Sequence, residues 1–121
     1  MRRKPGALVP LETDICICAA ALVKGGVDEF HGYELAKQLA ESTHRQSLAA
    51  YGTLYRALGR LEEMGLLASR WENAALARQE NRPPRRLYSL TRNGRAAARE
   101  ALAERKALRA ARTRKGWAPA S

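Results

Sequence analysis

The chain has 121 residues, of which 45% are apolar, so it has room for a single domain with one modest core. Its 22 Lys and Arg residues exceed its 12 Asp and Glu residues and give a formal net charge of +10. This composition argues against wholesale disorder, and no apolar run approaches the roughly 18 residues of a membrane span.

The positive charge is concentrated in three short segments. Residues 1–4 contain three basic residues, residues 78–95 contain six with one acidic residue, and residues 99–115 contain seven with two. Residues 5–77, by contrast, have nine acidic and six basic residues. A slightly acidic body with three basic patches favours a polyanionic partner, and nucleic acid is the first candidate.

The first ten residues combine basic side chains with proline and glycine, which is typical of a flexible arm. Although this start is similar to a signal peptide, Glu12 and Asp14 interrupt the path to the apolar run that follows. Cys16 and Cys18 are too few for a disulfide framework. We therefore expect a cytoplasmic protein.

Two helices are predicted in the first part of the chain. The first spans Leu11–Lys24, where apolar residues repeat at helical spacing, and it ends at Gly25-Gly26. After a loop over residues 25–31, the second helix spans Gly32–Ser42 and is followed by a polar turn over residues 43–47.

The third helix has the clearest pattern and lies within residues 51–65. Apolar residues recur there at spacings of three and four and form one stripe, which consists of Leu54, Ala57, Leu58, Leu61 and Met64. The residues that a period of 3.6 places on the opposite face or its flanks are Gly52, Tyr55, Arg56, Gly59, Arg60 and Glu63. Gly65 is suited to the helix end, because a positive φ has little cost only for glycine.

Two strands joined by a long basic loop follow the third helix. Alternating residues predict strands over Leu66–Glu72 and Arg85–Leu90, while the Asn and Pro residues of the segment 73–84 predict a loop. We expect Trp71 to pack against the third helix. The arginines in and beside the loop, opposed there by Glu80 alone, are Arg78, Arg82, Arg85 and Arg86.

Thr91 is suited to capping a last helix over residues 92–114, which is rich in alanine. Its apolar stripe is thin and consists of Ala98, Ala101, Leu102, Leu108 and Ala111. Such a stripe buries little area, so this helix is expected to need a partner surface. Residues 115–121 are expected to form a flexible tail.

Three helices followed by a β-hairpin are typical of a winged helix-turn-helix. The predicted fold class is mainly α (α+β), with a two-stranded wing and a long C-terminal helix. Residues 11–90 would form the DNA-binding domain and residues 91–114 the dimerisation helix. The third helix of this fold enters the major groove, where Arg56 is suited to guanine O6 and N7 and Tyr55 to a phosphate or a thymine methyl.

Arg56 and Arg60 also have a second interpretation, in which they only solvate the helix and pair with Glu62 or Glu63. The cationic hairpin favours DNA binding, because a solvated hairpin has no need of so many arginines, whereas a wing that follows phosphates does. The basic residues over 105–115 likewise either solvate a helix end or add phosphate contacts.

Three segments of the sequence resemble the PadR family of bacterial transcriptional regulators. They are FHGYEL at Phe30–Leu35, YGTLYRALGRLEEMGLL at Tyr51–Leu67 and RPPRRLYSLT at Arg82–Thr91. The similarity covers residues 11–102, and its most specific part is the Gly-Thr-Leu-Tyr run with the Leu-Glu-Glu-x-Gly-Leu-Leu segment behind it.

This resemblance implies a dimeric winged-helix repressor that binds a double-stranded DNA operator and is released by a small, frequently aromatic effector. It also implies that Gly52–Tyr55 opens the recognition helix and that the wing arginines contact DNA. Together with His31, which we expect to face the DNA backbone, the predicted DNA-binding residues are His31, Tyr33, Tyr51, Gly52, Thr53, Tyr55, Arg56, Arg60, Arg82, Arg85 and Arg86.

Short members of the family dimerise by pairing their single C-terminal helix with the partner's first and last helices. The predicted homodimer interface accordingly comprises Leu11, Ile15, Ala98, Ala101, Leu102 and Leu108. A dimer of this kind binds half-sites about one helical turn apart.

The sequence departs from the family pattern in three places. Arg56 stands where the family commonly has proline, so the base contacts are expected to differ. The loop 25–31 and the wing segment 73–84 are longer than usual, and Asn81 replaces a usual glycine.

No catalytic or metal site is predicted, and no cofactor is expected. The sequence has no nucleophile elbow, no glycine-rich phosphate loop and no carboxylate pair suited to catalysis. His31 and His44 lie in turns without metal-ligand spacing, and Cys16 and Cys18 are expected to be small buried apolar residues. We therefore expect a protein that is not an enzyme.

Two other functions use the same fold. One is a basic RNA- or ribosome-associated protein, and the other is a protein-interaction module whose wing binds an acidic partner. RNA readers usually expose aromatic platforms, whereas this chain has only two Trp, four Tyr and one Phe residue.

Overall fold

The structure, a computed structural model, describes residues 8–43 and 51–116. Most of the predicted arm and tail, and residues 44–47 of the predicted polar turn, lie outside these ranges. The elements are α1 Pro10–Lys24, β1 Phe30–His31, α2 Gly32–Thr43, α3 Tyr51–Glu63, β2 Leu67–Trp71, α4 Ala74–Gln79, β3 Arg86–Leu90 and α5 Arg92–Gly116. Within the described ranges, no helix has the length and apolarity that crossing a membrane requires.

The helix ends follow the predicted stop signals. After α1, Gly26 has a φ of 94°, and the Val27 amide donates to the Leu22 carbonyl at 2.8 Å. After α3, Gly65 has a φ of 76°, and the Leu66 amide donates to the Leu61 carbonyl at 2.9 Å. Both ends are Schellman motifs, in which a glycine in the left-handed region satisfies the last carbonyls.

The start of α5 is attached to the end of α3. Thr91 caps α5 as predicted, since its Oγ1 accepts a hydrogen bond from the Gly94 amide at 3.0 Å. The same hydroxyl donates to the Gly65 carbonyl at 2.6 Å, and the Thr91 amide donates to the Leu66 carbonyl at 3.1 Å. We call this connection the α3–α5 junction, formed by Gly65, Leu66, Thr91 and Gly94.

The sheet has three antiparallel strands in the order β1-β3-β2. Strands β2 and β3 form the predicted two-stranded wing, which confirms the winged-helix fold, and β1 is a third strand that the sequence did not predict. The missed strand is β1, at the end of the predicted loop 25–31, where Phe30 pairs with Tyr88 of β3. Phe30 is fully buried, and its ring stacks with that of Tyr88 at a centroid distance of 6.5 Å. A strand of two residues is too short to show an alternation of apolar and polar residues, so no pattern in the sequence indicates it. The burial of the Phe30 ring holds this strand against β3.

The core lies between α1, α2, α3 and the sheet. Its fully buried side chains include Ile15, Leu35, Leu54, Leu58 and Leu61, so the predicted stripe of α3 is confirmed as its inner face. Cys16 and Cys18 of α1 are buried as well, which confirms their predicted role. Burial, reinforced by nearby Glu12, raises the pKa of the Cys16 thiol to about 11 and keeps it in its unreactive protonated form.

The predicted wing loop over residues 73–84 contains a helix, α4. Asn73 caps it, because its Oδ1 accepts a hydrogen bond from the Ala75 amide at 2.8 Å, and Ala77 is fully buried. The prediction of a structureless loop is therefore wrong. Asn and Pro residues at the two ends of the segment are shared by loops and by a short capped helix, so composition did not distinguish them.

Trp71 does not pack against α3 as predicted, since 62% of it is exposed. It lies at the end of β2, beyond the part of the sheet that the helices cover. Its ring instead forms a cation–π contact with the Arg86 guanidinium, whose Cζ atom lies 5.5 Å from the ring centroid.

Helix α5 packs along α1 of the same chain, which corrects part of the predicted dimer interface. Ile15 is 0% and Ala98 2% exposed within the protomer, so neither has a surface for a partner. Asp14 of α1, itself buried, forms an ion pair with Arg105 of α5. Farther along α5, Leu102 and Leu108 are 44% and 55% exposed.

Candidate nucleic-acid interface

Helix α3 presents the outer face that the sequence predicted. Because Leu54, Leu58 and Leu61 point into the core, Gly52, Arg56, Gly59 and Glu63 are exposed on the other side. A Cβ atom added at Gly52 or Gly59 would have nothing within 4 Å. Two glycines on an open helix face allow the backbone to approach a bound surface closely.

Arg56 and Thr53 are exposed near the start of this face. The Arg56 guanidinium lies 3.5 Å from Thr53 Oγ1, which is at the outer limit of a hydrogen bond. Neither side chain is held in the core, so both are available to a ligand. The side chain of Tyr51, another predicted contact, lies outside the described residues.

The start of α2 adjoins the same face of α3 through Gly32 and Tyr55. A Cβ atom added at Gly32 would overlap the Tyr55 ring, with its Cζ only 2.7 Å away. Tyr55 remains 46% exposed, and Tyr33, the residue after Gly32, is 62% exposed. Two exposed tyrosine side chains therefore lie near the contact between α2 and α3. His31 Nδ1 accepts a hydrogen bond from the Glu34 amide at 3.2 Å and thereby caps α2.

Arg60 is directed to α1 and away from the centre of this face. Its Nε lies 3.1 Å from Glu12 Oε2, and the Glu12 side chain is only 3% exposed. In the structure, Arg60 therefore pairs with Glu12, and not with Glu62 or Glu63 as the alternative interpretation predicted. The Glu12 carboxylate also accepts the Val9 amide at 3.0 Å, so Arg60 neutralises a buried acid at the start of α1.

The wing lies beside α3, and Arg86 makes the connection. Its Nη2 lies 3.4 Å from Glu62 Oε2, and its Nε donates to Ser69 Oγ at 3.0 Å. The ring of Trp71 supports the same guanidinium. The wing consequently lies against the flank of α3 that carries Glu62.

Arg82 differs from the other wing arginines because its guanidinium is enclosed. It contacts Glu72 through Nη1 at 2.5 Å and Nη2 at 2.9 Å, and Glu80 through Nε at 2.9 Å and Nη2 at 2.5 Å. The Arg82 side chain is 19% and that of Glu72 13% exposed. We call this group of Glu72, Glu80 and Arg82 the wing clasp, and sequence reasoning missed it because Glu72 lies outside the loop itself.

The wing clasp shifts the titration of its carboxylate. Hydrogen bonds from Arg82 lower the pKa of Glu72 to about 2, against an ordinary value of 4.5, and the Arg85 amide adds to this effect. Because the folded pKa lies below the unfolded one, Glu72 stabilises the fold above pH 4.5, and this contribution is lost as the pH falls toward 2.

Glu72→Gln is therefore expected to lower stability at neutral pH and to flatten the pH dependence of unfolding between pH 5 and about pH 2. Urea denaturation of both proteins across this pH range measures the effect. Glu63→Gln, which changes an exposed carboxylate of α3, is the matched control and should leave the curve close to that of the wild type. Identical curves for wild type and Glu72→Gln would contradict the assigned role of the clasp.

Arg78 and Arg85 complete the basic surface of the wing. Both side chains are exposed, and the backbone of Arg85 is held by two hydrogen bonds to Glu72. Of the predicted DNA-binding arginines that the structure describes, Arg56 and Arg85 are the most open, Arg86 is half-buried, and Arg60 and Arg82 serve acidic groups of the protein. In residues 8–43 and 51–116, no group of His, Cys, Asp and Glu side chains is suited to a metal ion.

The model of the Transcriptional regulator PadR-like family matches residues 22–100 of this chain. No curated protein matches it. A solved PadR family transcription regulator from Clostridium difficile R20291 is 27% identical, with a TM-score of 0.63, and the similarity covers 83% of this chain and 95% of that one. A PadR family transcriptional regulator from Eggerthella lenta DSM 2243 is 28% identical, with a TM-score of 0.61, and the similarity covers 88% of each chain.

A third solved structure is that of Bacillus subtilis PadR in complex with operator DNA. It is 21% identical with a TM-score of 0.51, and the similarity covers 71% of this chain and 46% of that one. At this level of identity, the likeness concerns the fold.

Proposed function

Since this chain belongs to the PadR-like family of transcriptional regulators, we propose that it binds an operator in duplex DNA through α3 and the wing. Arg56 and the start of α3 would enter the major groove, while Arg85 and Arg86 would contact the adjacent backbone or the minor groove. Blocking of transcription follows from occupancy of the operator.

One observation carries this proposal, namely the position of Arg86 between the wing and α3. Its ion pair with Glu62 brings the arginine-rich wing against the side of α3. Arg56 is exposed on the same helix. A double helix offers base edges to the helix and phosphates to the wing, whereas a solvated helix alone would need no basic wing beside it.

We further propose that the protein acts as a homodimer. Leu102 and Leu108 are exposed on α5, Ala101 of the same helix is half-buried, and Leu11 of α1 is half-buried against the core. Exposed leucines on a long helix are stabilised when a second copy covers them. Two copies related by a two-fold axis would present two α3 helices to a pseudo-palindromic operator.

Release by a small effector is the remaining part of the proposed function. An open groove of about 620 Å³ lies between α1, the end of α3 and α5, and it is lined by Leu66 and Leu108 together with Glu100 and Glu104. This volume is within the range of small-molecule sites. Fluorescence anisotropy of labelled operator DNA, measured while planar aromatic compounds are added to the complex, tests whether an effector releases the protein.

Selection of genomic fragments with the purified protein would identify the operator. Arg56→Ala is then expected to relax the preference at one base position and to weaken binding by about 1–3 kcal/mol, because a bidentate contact to guanine is lost. Binding to a set of operators substituted at single positions measures this change. Arg99→Ala, which removes an exposed cation from α5, is the matched control.

An equal loss of affinity by Arg56→Ala on all sequences would instead identify Arg56 as a phosphate contact. Tight binding to single-stranded RNA or to an acidic protein, with weaker binding to duplex DNA, would contradict the proposed function. Salt titration with the three partners distinguishes these outcomes.

A further inference from the structure

The Arg82 guanidinium has no N–H group left for a ligand. Its five N–H groups match five hydrogen bonds, of which two go to Glu72, two to Glu80 and one to the Pro83 carbonyl at 3.4 Å. A bound phosphate would have to displace one of these carboxylates. The family resemblance assigns this arginine to DNA, whereas its contacts here are internal.

The wing clasp also holds the backbone that carries Arg85. Glu72 Oε1, which accepts from Arg82, accepts the Arg85 amide as well, at 3.1 Å. The Glu72 amide donates to the Arg85 carbonyl at 2.8 Å, which extends the β2–β3 pairing one step beyond Trp71 and Arg86. The Glu72 carboxylate is thus bound both by the Arg82 guanidinium and by the Arg85 amide, so that Arg82 helps to fix the backbone of Arg85.

The charge of the clasp argues in the same direction. One guanidinium between two carboxylates leaves a formal excess of negative charge, so the clasp itself does not attract phosphate. The cations that point outward beside it are Arg78 and Arg85. The wing clasp thus joins the two ends of the segment 73–84 through contacts within the protein, and the basic groups that face solvent are those of Arg78 and Arg85.

We propose that Arg82 is a positioning residue of the DNA interface, which closes the wing and holds Arg85 toward a phosphate without contacting the duplex itself. This inference rests on the proposed function, because Arg85 has a phosphate to meet only if the protein binds DNA. Arg82 would act by preorganisation, which reduces the ordering that Arg85 undergoes when the complex forms.

The salt dependence of binding to the operator duplex distinguishes positioning from contact. Arg85→Gln removes one phosphate contact and should reduce the slope of log K against log salt concentration by about 0.9. Arg82→Gln should leave that slope unchanged and weaken binding on the order of fivefold at every salt concentration. Arg82→Lys keeps the charge but not the planar fork, and it should behave as Arg82→Gln does.

The structure of the wing clasp predicts that Glu72 and Arg82 act together. Once Glu72→Gln is present, Arg82→Gln should cause no further loss of affinity. Hydrogen exchange without DNA provides an independent measurement, since the Arg85 amide should exchange faster in both single variants. Urea denaturation of each variant shows whether it is folded under the binding conditions.

Two results would overturn the inference. In the first, Arg82→Gln reduces the salt slope as Arg85→Gln does and Arg82→Lys restores it, which would make Arg82 a phosphate contact. In the second, the Arg85 amide stays as protected in Arg82→Gln as in the wild type. Absence of salt-dependent duplex binding by the wild-type protein would overturn the proposed function first, and this inference with it.

Discussion

Gly94→Ala is expected to lower the free energy of unfolding by about 3 kcal/mol or more, the largest effect of any single substitution considered. A Cβ atom at this position would overlap the Leu66 carbonyl oxygen and lie 2.7 Å from Leu90 Cδ2. The oxygen belongs to the backbone of the α3–α5 junction and accepts the Thr91 amide, so it cannot rotate away. Helix α5 would have to shift, which breaks its capping by Thr91.

Thermal unfolding measures this effect, and a decrease of the midpoint by about 10 °C corresponds to the expected loss. Gly59→Ala is the matched control, because this glycine also lies in a helix but an added Cβ would have nothing within 4 Å. It should stabilise the fold by about 0.5–1 kcal/mol. Equal midpoints for Gly94→Ala and the wild type would contradict the close contact described at the junction.

Leu102→Glu combined with Leu108→Glu is expected to convert the proposed homodimer into a monomer. Both side chains are largely exposed on α5, so the change leaves the protomer's core intact, whereas burying two carboxylates in an apolar interface is strongly unfavourable. A monomer reaches one half-site at a time, and affinity for a complete operator should fall on the order of a hundredfold or more.

Light scattering gives the oligomeric state of this variant, and anisotropy gives its affinity for the complete operator and for one half-site. Half-site affinity should change little. Ala103→Glu is the control, since this exposed residue lies about 100° from Leu102 and about 140° from Leu108 around the axis of α5. A double variant that remains dimeric would show that the copies associate through another surface.

The parts of the fold that the sequence predicted correctly depend on local signals. The inner stripe of α3, the glycines that end α1 and α3, and the Thr91 cap are each set by residues within a turn of one another. For the same reason, the exposure of Gly52, Arg56 and Gly59 followed from helical periodicity once the stripe was known.

The parts that the sequence did not reveal depend on pairs distant in the chain. Arg105 meets Asp14 across 91 positions, and Arg86 meets Glu62 across 24, so no pattern within one element indicates either pair. The charge cluster and the family resemblance predict DNA contacts for all the wing arginines, because a sequence does not show which of them face a carboxylate of the same protein. The stripe and the resemblance likewise predict a dimer contact for Ile15 and Ala98, because an apolar stripe does not show whether a helix of the same chain or of a partner covers it.

The α3–α5 junction has a geometric consequence for the choice of target. Two hydrogen bonds and one close glycine contact fix the angle between α3 and α5. We propose that α3 reads the bases and that α5 joins the two copies. In a two-fold assembly, that angle determines how far apart the reading helices stand. On this proposal, the geometry of each protomer sets the number of base pairs between the two half-sites, and substitutions at Gly65 or Thr91 are expected to change the spacing that the dimer prefers.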